Sequence, residues 1–101
     1  MARKKVRRKL PKGWTEGSVQ DLLDLSDEEA VIVEMRVRLA ELVRDKRQVK
    51  RMTQSDLARR MRSTQPRVAR LEQAEASLEM LIRALFALGA TRREIGRLFA
   101  A

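Results

Sequence analysis

The stretch TQSDLARRMRSTQPRVARLE, residues 53–72, decides the fold. As one continuous helix it would carry a single apolar stripe, formed by Leu57, Met61, Val68 and Leu71. Pro66 opposes this interpretation, because it has no N–H to donate to the carbonyl of Arg62 and its ring would clash there. In a helix interior that defect costs about 3 kcal/mol or more. A break just before Pro66 avoids the cost, since the first N–H groups of a new helix have no partner within it.

The sequence therefore predicts a helix over residues 53–61, a three-residue turn, and a second helix over 65–72. Thr53 is suited to cap the first helix, and Thr64 the second. The alternative for the second cap is Gln65, because a residue that precedes a proline is disfavoured in the α region. Two short helices joined in this way form a helix-turn-helix.

The second of these helices presents side chains of the types that read DNA bases. Val68 and Leu71 are three residues apart and point inward, which leaves Gln65, Arg67 and Arg70 outside. Arginine pairs with the O6/N7 edge of guanine, and glutamine pairs with the N6/N7 edge of adenine. Flanking cations are candidates to neutralise phosphates: Lys50, Arg51, Arg59, Arg60 and Arg62.

Upstream, the pattern predicts one long helix from about residue 27 to 47. Ser26 and Glu29 form an S-x-x-E capping box at its start, and acidic residues there suit the positive end of the helix dipole. Apolar residues then recur at steps of three and four, at Ile32, Met35, Leu39 and Leu42.

The C-terminal third predicts two more helices. Ser77 is suited to cap the first of them and Gly89 to stop it. Its core stripe consists of Leu78, Leu81, Leu85 and Leu88. Thr91 and Glu94 form another capping box before a short last helix. No segment is typical of a strand, so the expected fold is all-α, a compact bundle of about five helices that contains a helix-turn-helix.

The amino-acid composition excludes several classes of functional site. The chain has 101 residues and a formal net charge of +9, with neither cysteine nor histidine. The absence of both excludes cysteine nucleophiles, Ser-His-Asp triads, disulfides and the usual zinc and haem ligand sets. No apolar run approaches the length of a membrane span, and the basic N-terminus has no apolar segment behind it. We therefore expect a soluble cytoplasmic protein that is not an enzyme and needs no cofactor or metal. Its basic charge predicts a polyanionic partner, with an anionic membrane surface or an acidic protein as the alternatives.

The charge falls into three blocks that suggest the domain organisation. Residues 1–13 hold seven basic residues and no acid, residues 14–35 hold seven acids and no base, and the remainder carries the basic excess. The prediction is a disordered basic tail over 1–13 and a helix-turn-helix domain over 14–101, with its motif at about 53–72. The tail is either a solubilising extension or an arm that contacts DNA.

The quoted stretch, followed by SLEMLIRALFALGA, resembles the phage-repressor and Cro-type helix-turn-helix family, often called XRE. The first helix matches the family pattern at Met52, Thr53, Gln54, Leu57, Ala58 and Met61. The second matches at Thr64, Gln65, Val68, Arg70, Leu71 and Glu72. The next helix matches at Ser77, Leu78, Leu81, Leu85, Leu88 and Gly89. The similarity covers about residues 36–90, and the S-D-E-E start resembles the HigA-type antitoxin branch.

The resemblance implies a lambda-repressor-like fold that binds double-stranded DNA. It further implies that Gln54 touches phosphate at a helix N-terminus, next to Thr53, and that Gln54 supports Gln65. Two positions depart from the family, because Arg62 and Ala74 stand where glycine is usual. We expect Arg62 to adopt the left-handed conformation that glycine would supply.

The main hypothesis is a sequence-specific transcriptional regulator, acting as a dimeric repressor. Extra apolar residues either form the dimer surface or close the monomer core: Ile82, Phe86, Ile95, Leu98 and Phe99. A second hypothesis is an antitoxin that represses its own operon or acts mainly by sequestering a basic toxin protein, because the acidic block from Glu16 to Glu34 suits such a partner. A third is a nucleic-acid binder without sequence preference, which charge alone would produce.

Overall fold

The computed structural model describes residues 26–100. The predicted tail and residues 14–25 of the acidic block lie outside this range. Within it the chain is all-helical, which confirms the expected fold class. The five helices are α1 (Asp27–Val49), α2 (Gln54–Met61), α3 (Gln65–Glu72), α4 (Leu78–Ala87) and α5 (Arg92–Arg97). No helix in the described range is long and apolar enough to cross a membrane.

The chain divides into two units at Glu34, within α1. The unit Met35–Ala101 contains the rest of α1 and all of α2 to α5. Of the other unit, the structure describes only residues 26–34, the first turns of α1. The unit that begins at Met35 forms the helical bundle.

The start of α1 agrees with the predicted cap, since the Ser26 hydroxyl accepts a hydrogen bond from the Glu29 backbone N–H at 3.2 Å. Its end differs, because α1 continues to Val49, two residues past the expected stop. Basic residues in the last turn, Lys46 and Arg47, favour this extension because they oppose the negative end of the helix dipole. The connection to α2 is consequently short.

Part of the stripe predicted on α1 is buried, because Leu39 lies in the core and Leu42 packs against it, whereas Ile32 is exposed. Leu39, Ala40 and Val43 are at most 2% exposed, whereas Ile32 is 41% exposed. Apolar residues occur on almost every side of α1 between residues 30 and 43, so the periodicity admits more than one stripe. Packing against the other helices of the unit that begins at Met35 buries Ala40 and Val43 beside Leu39, although the predicted stripe leaves these two residues out.

The core of the bundle consists of aliphatic side chains from the helices and from the turn after α4. Its buried members are Leu39, Ala40, Val43, Leu57, Ala58, Val68, Leu71, Leu81, Ala84, Leu85, Leu88 and Ala90. Helix α2 contacts both α3 and α4. Each fully buried leucine or valine stabilises the fold by about 1.5–3 kcal/mol. Because α2 and α3 have only 8 residues each, their stability depends on this shared core.

Four helices end in the same way, with a left-handed residue and paired backbone hydrogen bonds across the last turn. The left-handed residues are Arg51, Arg62, Ala74 and Gly89, with φ of 55°, 54°, 65° and 84°. At the end of α2, for example, Ser63 N–H donates to the Ala58 carbonyl at 2.8 Å. The predicted left-handed conformation of Arg62 and the predicted stop at Gly89 are therefore confirmed.

Helix α5 begins with the predicted capping box, in which Thr91 and Glu94 satisfy each other's backbone N–H groups. An ion pair near its start and a hydrogen bond just after its end connect it to α1. Lys46 Nζ lies 2.5 Å from Glu94 Oε2, and Arg38 Nη1 donates to the Leu98 carbonyl at 2.8 Å. The order of these contacts makes α5 antiparallel to α1. The hydrogen bonds from Lys46 and Thr91 lower the pKa of Glu94.

Two glycines allow a matched test of the helix ends. Gly89 has φ of +84°, and a Cβ there would lie 3.7 Å from Lys50 Nζ, so alanine meets conformational strain but no clash. We expect Gly89→Ala to lower the free energy of unfolding by about 1 kcal/mol. Gly96 lies within α5 with open space around it, so Gly96→Ala should raise that free energy by about 0.5–1 kcal/mol. Urea unfolding measures both; equal effects would contradict the assignment of strain to residue 89.

Candidate nucleic-acid interface

A capping box fixes the start of α2. The Thr53 hydroxyl accepts from the Asp56 N–H at 3.0 Å, and the Asp56 carboxylate accepts from the Thr53 N–H at 2.9 Å. These hydrogen bonds, together with the nearby Arg59, lower the pKa of Asp56. The Thr53 hydroxyl still has its own proton to donate, so the cap leaves it able to contact a phosphate.

Thr64, rather than Gln65, is the N-cap of α3. It has an extended backbone (φ −121°, ψ 155°), and its hydroxyl accepts from the Arg67 N–H at 3.4 Å. Pro66 is the second residue of the helix, where a missing N–H costs nothing. Of the two alternatives for the cap, the one at Gln65 is therefore wrong.

Helix α3 has the predicted orientation. Val68 and Leu71 are 1% and 3% exposed, while Gln65, Arg67 and Arg70 are exposed. Neither arginine makes an ion pair within the described part of the chain. Their guanidinium groups are therefore available for an external acceptor.

A chain of side-chain hydrogen bonds holds Gln65. Gln65 Nε2 donates to Gln54 Oε1 at 2.7 Å, and Gln54 Nε2 donates to Glu72 Oε1 at 3.2 Å. The ionised carboxylate of Glu72 only accepts, so Gln54 must turn its amide nitrogen toward it and its oxygen toward Gln65. The contact between the two glutamines that the resemblance implies is thus present, and its direction is determined by Glu72.

Glu72 is itself held by Arg47, near the end of α1. Arg47 Nε lies 2.5 Å from Glu72 Oε2, Nη2 lies 3.0 Å from Oε1, and Nη1 donates to the Met52 carbonyl at 2.8 Å. The two side chains are 13% and 3% exposed. The hydrogen bonds and charge of Glu72 raise the pKa of Arg47, which outweighs the opposing effect of burial. One guanidinium therefore joins α1, α3 and the segment that leads into α2.

This ion pair was not predicted from the sequence. Arg47 is one of several cations at the end of α1, and Glu72 is only a match to the family pattern. One local signal does exist. Glu72 directly follows a buried leucine at the C-terminal end of a helix, where the helix dipole disfavours an acid. An acid in that position indicates a cation nearby.

The candidate phosphate contacts fall into two groups. Arg51 and Arg62 are exposed, stand at the two ends of α2, and form no ion pair in the described range. Lys50 is also exposed, although its ammonium lies near Gly89. The other two cations have protein partners: Arg59 pairs with Asp56, and Arg60 donates to the Ala87 carbonyl at 3.1 Å.

The five residues of the candidate dimer surface differ in their exposure. Phe86 and Phe99 are 50% and 41% exposed. Ile82, Ile95 and Leu98 are half-buried against the core. Three of the five residues therefore contribute to the monomer core, and the two phenylalanines remain as apolar groups on its surface.

We expect Glu72→Gln to lower the free energy of unfolding by about 3 kcal/mol, because it leaves the largely buried charge of Arg47 without its counter-ion. Glu79→Gln is the matched control. Glu79 pairs with Arg83 at 3.8 Å, and both side chains are more than half exposed, so the loss should be small. Chemical denaturation measures both variants, and equal losses would mean that the pair of Arg47 and Glu72 is no more than a surface contact.

The capping box of α2 should make stability depend on pH. The pKa of Asp56 is lower in the folded protein, so its contribution is complete above the ordinary aspartate pKa of about 3.9 and is lost as the pH falls through the lowered value. Asp56→Asn should be less stable than the parent at pH 7, and the difference should disappear at strongly acidic pH. Thermal melts across this range measure it; a difference that does not change with pH would contradict the assignment.

A family model described as a helix-turn-helix domain matches residues 22–92, which is more than half of the 101-residue chain. Searches of curated proteins and of solved structures found no match. The matched range includes α2, the left-handed turn and α3, together with Arg47 and Glu72. The chain therefore belongs to the helix-turn-helix domain family, and this domain indicates a DNA-binding regulator.

Proposed function

We propose that the protein is a sequence-specific transcriptional regulator of the phage-repressor and Cro type, which binds double-stranded DNA and is not an enzyme. One observation carries the proposal: α3 presents Gln65, Arg67 and Arg70 outward, and Gln65 is held in place by Gln54. A protein that binds DNA through charge alone has no need to fix an exposed glutamine.

In the proposed complex α3 lies in the major groove, with its first residues toward the base edges. Gln65 uses one amide hydrogen on Gln54, which leaves its carbonyl oxygen and its second N–H for adenine N6 and N7. Because this side chain is already ordered in the free protein, binding costs less conformational entropy. Arg67 and Arg70 would each contact a guanine through O6 and N7.

The phosphate contacts would surround α2. Its N-terminus directs free N–H groups outward beside Thr53 and Gln54, an arrangement that favours an anion. Arg51 and Arg62 at its two ends, with Lys50, would neutralise flanking phosphates. Both arginines adopt a left-handed conformation that costs a residue with a Cβ roughly 1 kcal/mol, and a role on DNA explains why arginine rather than glycine stands there.

The finer proposal is a homodimer that acts as a repressor. Two reading helices placed one turn of DNA apart, about 34 Å, would recognise a palindromic site. The exposed Phe86 and Phe99 offer apolar area for a contact between two copies. Repression follows if the dimer covers a promoter. Selection of binding sites from random DNA tests the symmetry, and a single half-site with no repeat would contradict the dimer.

The first turns of α1 favour a second function, that of an antitoxin of the HigA type. Val31 and Ile32 are 37% and 41% exposed, and they lie beside the exposed acids Glu28 and Glu29. An apolar and acidic surface suits a basic protein partner. If the neighbouring reading frame encodes a small basic protein, that protein should bind the parent and bind Ile32→Lys at least tenfold more weakly. Equal binding would contradict the role of this surface.

Arg67→Ala and Arg70→Ala should each weaken binding to the selected operator by about 1–3 kcal/mol, with little effect on random duplex, because the lost contacts are to bases. Arg44→Ala is the control, since Arg44 is an exposed arginine on α1 outside the proposed interface. Gel-shift titrations on both duplexes measure these changes. Equal weakening on operator and random DNA would assign the two arginines to phosphates and favour a binder without sequence preference.

Arg62→Gly should change stability by no more than about 1 kcal/mol, because relief of the left-handed strain is offset by greater freedom of the unfolded chain. DNA affinity should fall, and the slope of log affinity against log salt should become shallower by about one unit, because one phosphate contact is lost. Thermal melts and salt titrations measure both quantities. An unchanged slope would mean that Arg62 contacts no phosphate.

A further inference from the structure

An open groove of about 280 Å³ runs along one side of α3. Its walls are mainly apolar and come from α2, α3, the start of α4 and the turn before α4: Met61, Val68, Leu71, Ala76 and Met80. Ser63 and Ser77 add two hydroxyl groups to the lining. Arg67 and Arg70 line the same groove. The groove is therefore continuous with the proposed reading surface, although phosphate neutralisation and guanine contacts make no use of apolar walls.

The chemistry of the walls limits which part of a DNA duplex fits. A phosphate would lose water against the methionines without gaining a hydrogen bond from them. Glu75, which also lines the groove, would repel it. The only apolar group that base edges present in the major groove is the 5-methyl group of thymine. Methionine suits such a group, because its side chain is flexible and polarisable.

We propose that this groove takes the 5-methyl group of a thymine that lies next to the guanines contacted by Arg67 and Arg70. The inference rests on the proposed function and extends it, since it adds an apolar specificity contact to the polar ones. Met80, on α4, becomes a specificity-determining residue although it is outside the helix-turn-helix motif. The two arginines place the DNA, and the groove then distinguishes thymine from bases without the methyl group.

The test begins with an operator selected by the parent protein from random duplex DNA. Each thymine of that site is replaced, one at a time, by deoxyuridine, which differs only by the missing methyl group. At one position in each half-site we expect affinity to fall about fourfold, because burial of one such group stabilises by about 0.8 kcal/mol. This scan uses the parent protein alone, so it does not depend on the folding of any variant.

The variant Met80→Gln then tests whether the thymine methyl group contacts the groove. The substitution keeps the length of the side chain and makes its end polar, so the deoxyuridine effect at that position should disappear. Met35→Gln, which makes the same change on α1 outside the groove, should retain the fourfold effect.

The outcomes separate this inference from the proposed function. Specific binding with no effect of deoxyuridine at any position, or an effect that persists in Met80→Gln, overturns the thymine contact and leaves sequence-specific binding in place. A selected site that contains no thymine also overturns it. If selection finds no preferred sequence, the proposed function fails, and this inference fails with it.

Discussion

The ion pair between Arg47 and Glu72 is the constraint on which the reading surface depends. The Glu72 side chain is 3% exposed, so its carboxylate must find donors within the protein. Arg47 supplies two of them and Gln54 a third, and Gln54 in turn accepts from Gln65. A contact between two residues that are 25 positions apart in sequence thus decides where an exposed glutamine on α3 is held.

The role of this ion pair is better explained by the side chains that it holds in position than by the stability that it adds to the fold. A buried ion pair gains little over well-packed apolar residues, because both ions must lose their water. The geometry here is specific all the same: a planar guanidinium faces a planar carboxylate and also holds the Met52 carbonyl just before the N-cap of α2. The same group of contacts therefore connects the segment before α2 to the end of α3, the two elements that a DNA duplex would meet.

Local signals in the sequence account for most of the motif. Pro66 requires a helix start, Thr53 and Thr64 supply the caps, and the observed α2 and α3 lie within one residue of the predicted ranges. The left-handed residue at Arg62 follows from the family position of glycine. The proline and cap signals act over four residues or fewer, so they can be recognised without knowledge of the fold.

Features of the structure that depend on tertiary contacts cannot be predicted from such local signals. Helix α1 is apolar on several sides, and only packing determines that Ala40 and Val43, which the predicted stripe leaves out, are buried beside Leu39. In the same way, Arg47 cannot be distinguished from neighbouring cations until α3 brings Glu72 to it. The groove lined by Met61 and Met80 joins residues of three helices, and no pattern within one helix would indicate it.

The arginines of residues 53–72 illustrate how the fold converts net charge into a specific surface. Arg59 and Arg60 have partners within the protein, whereas Arg62, Arg67 and Arg70 form no ion pair in the described range. The net charge counts all five arginines equally, whether or not they have a partner. Because α3 has 8 residues and is too short to be stable alone, its free arginines keep their spacing only while Val68 and Leu71 stay packed. Loss of that packing would leave the positive charge intact, so attraction to any duplex would survive while the geometry needed to distinguish one base sequence from another would not.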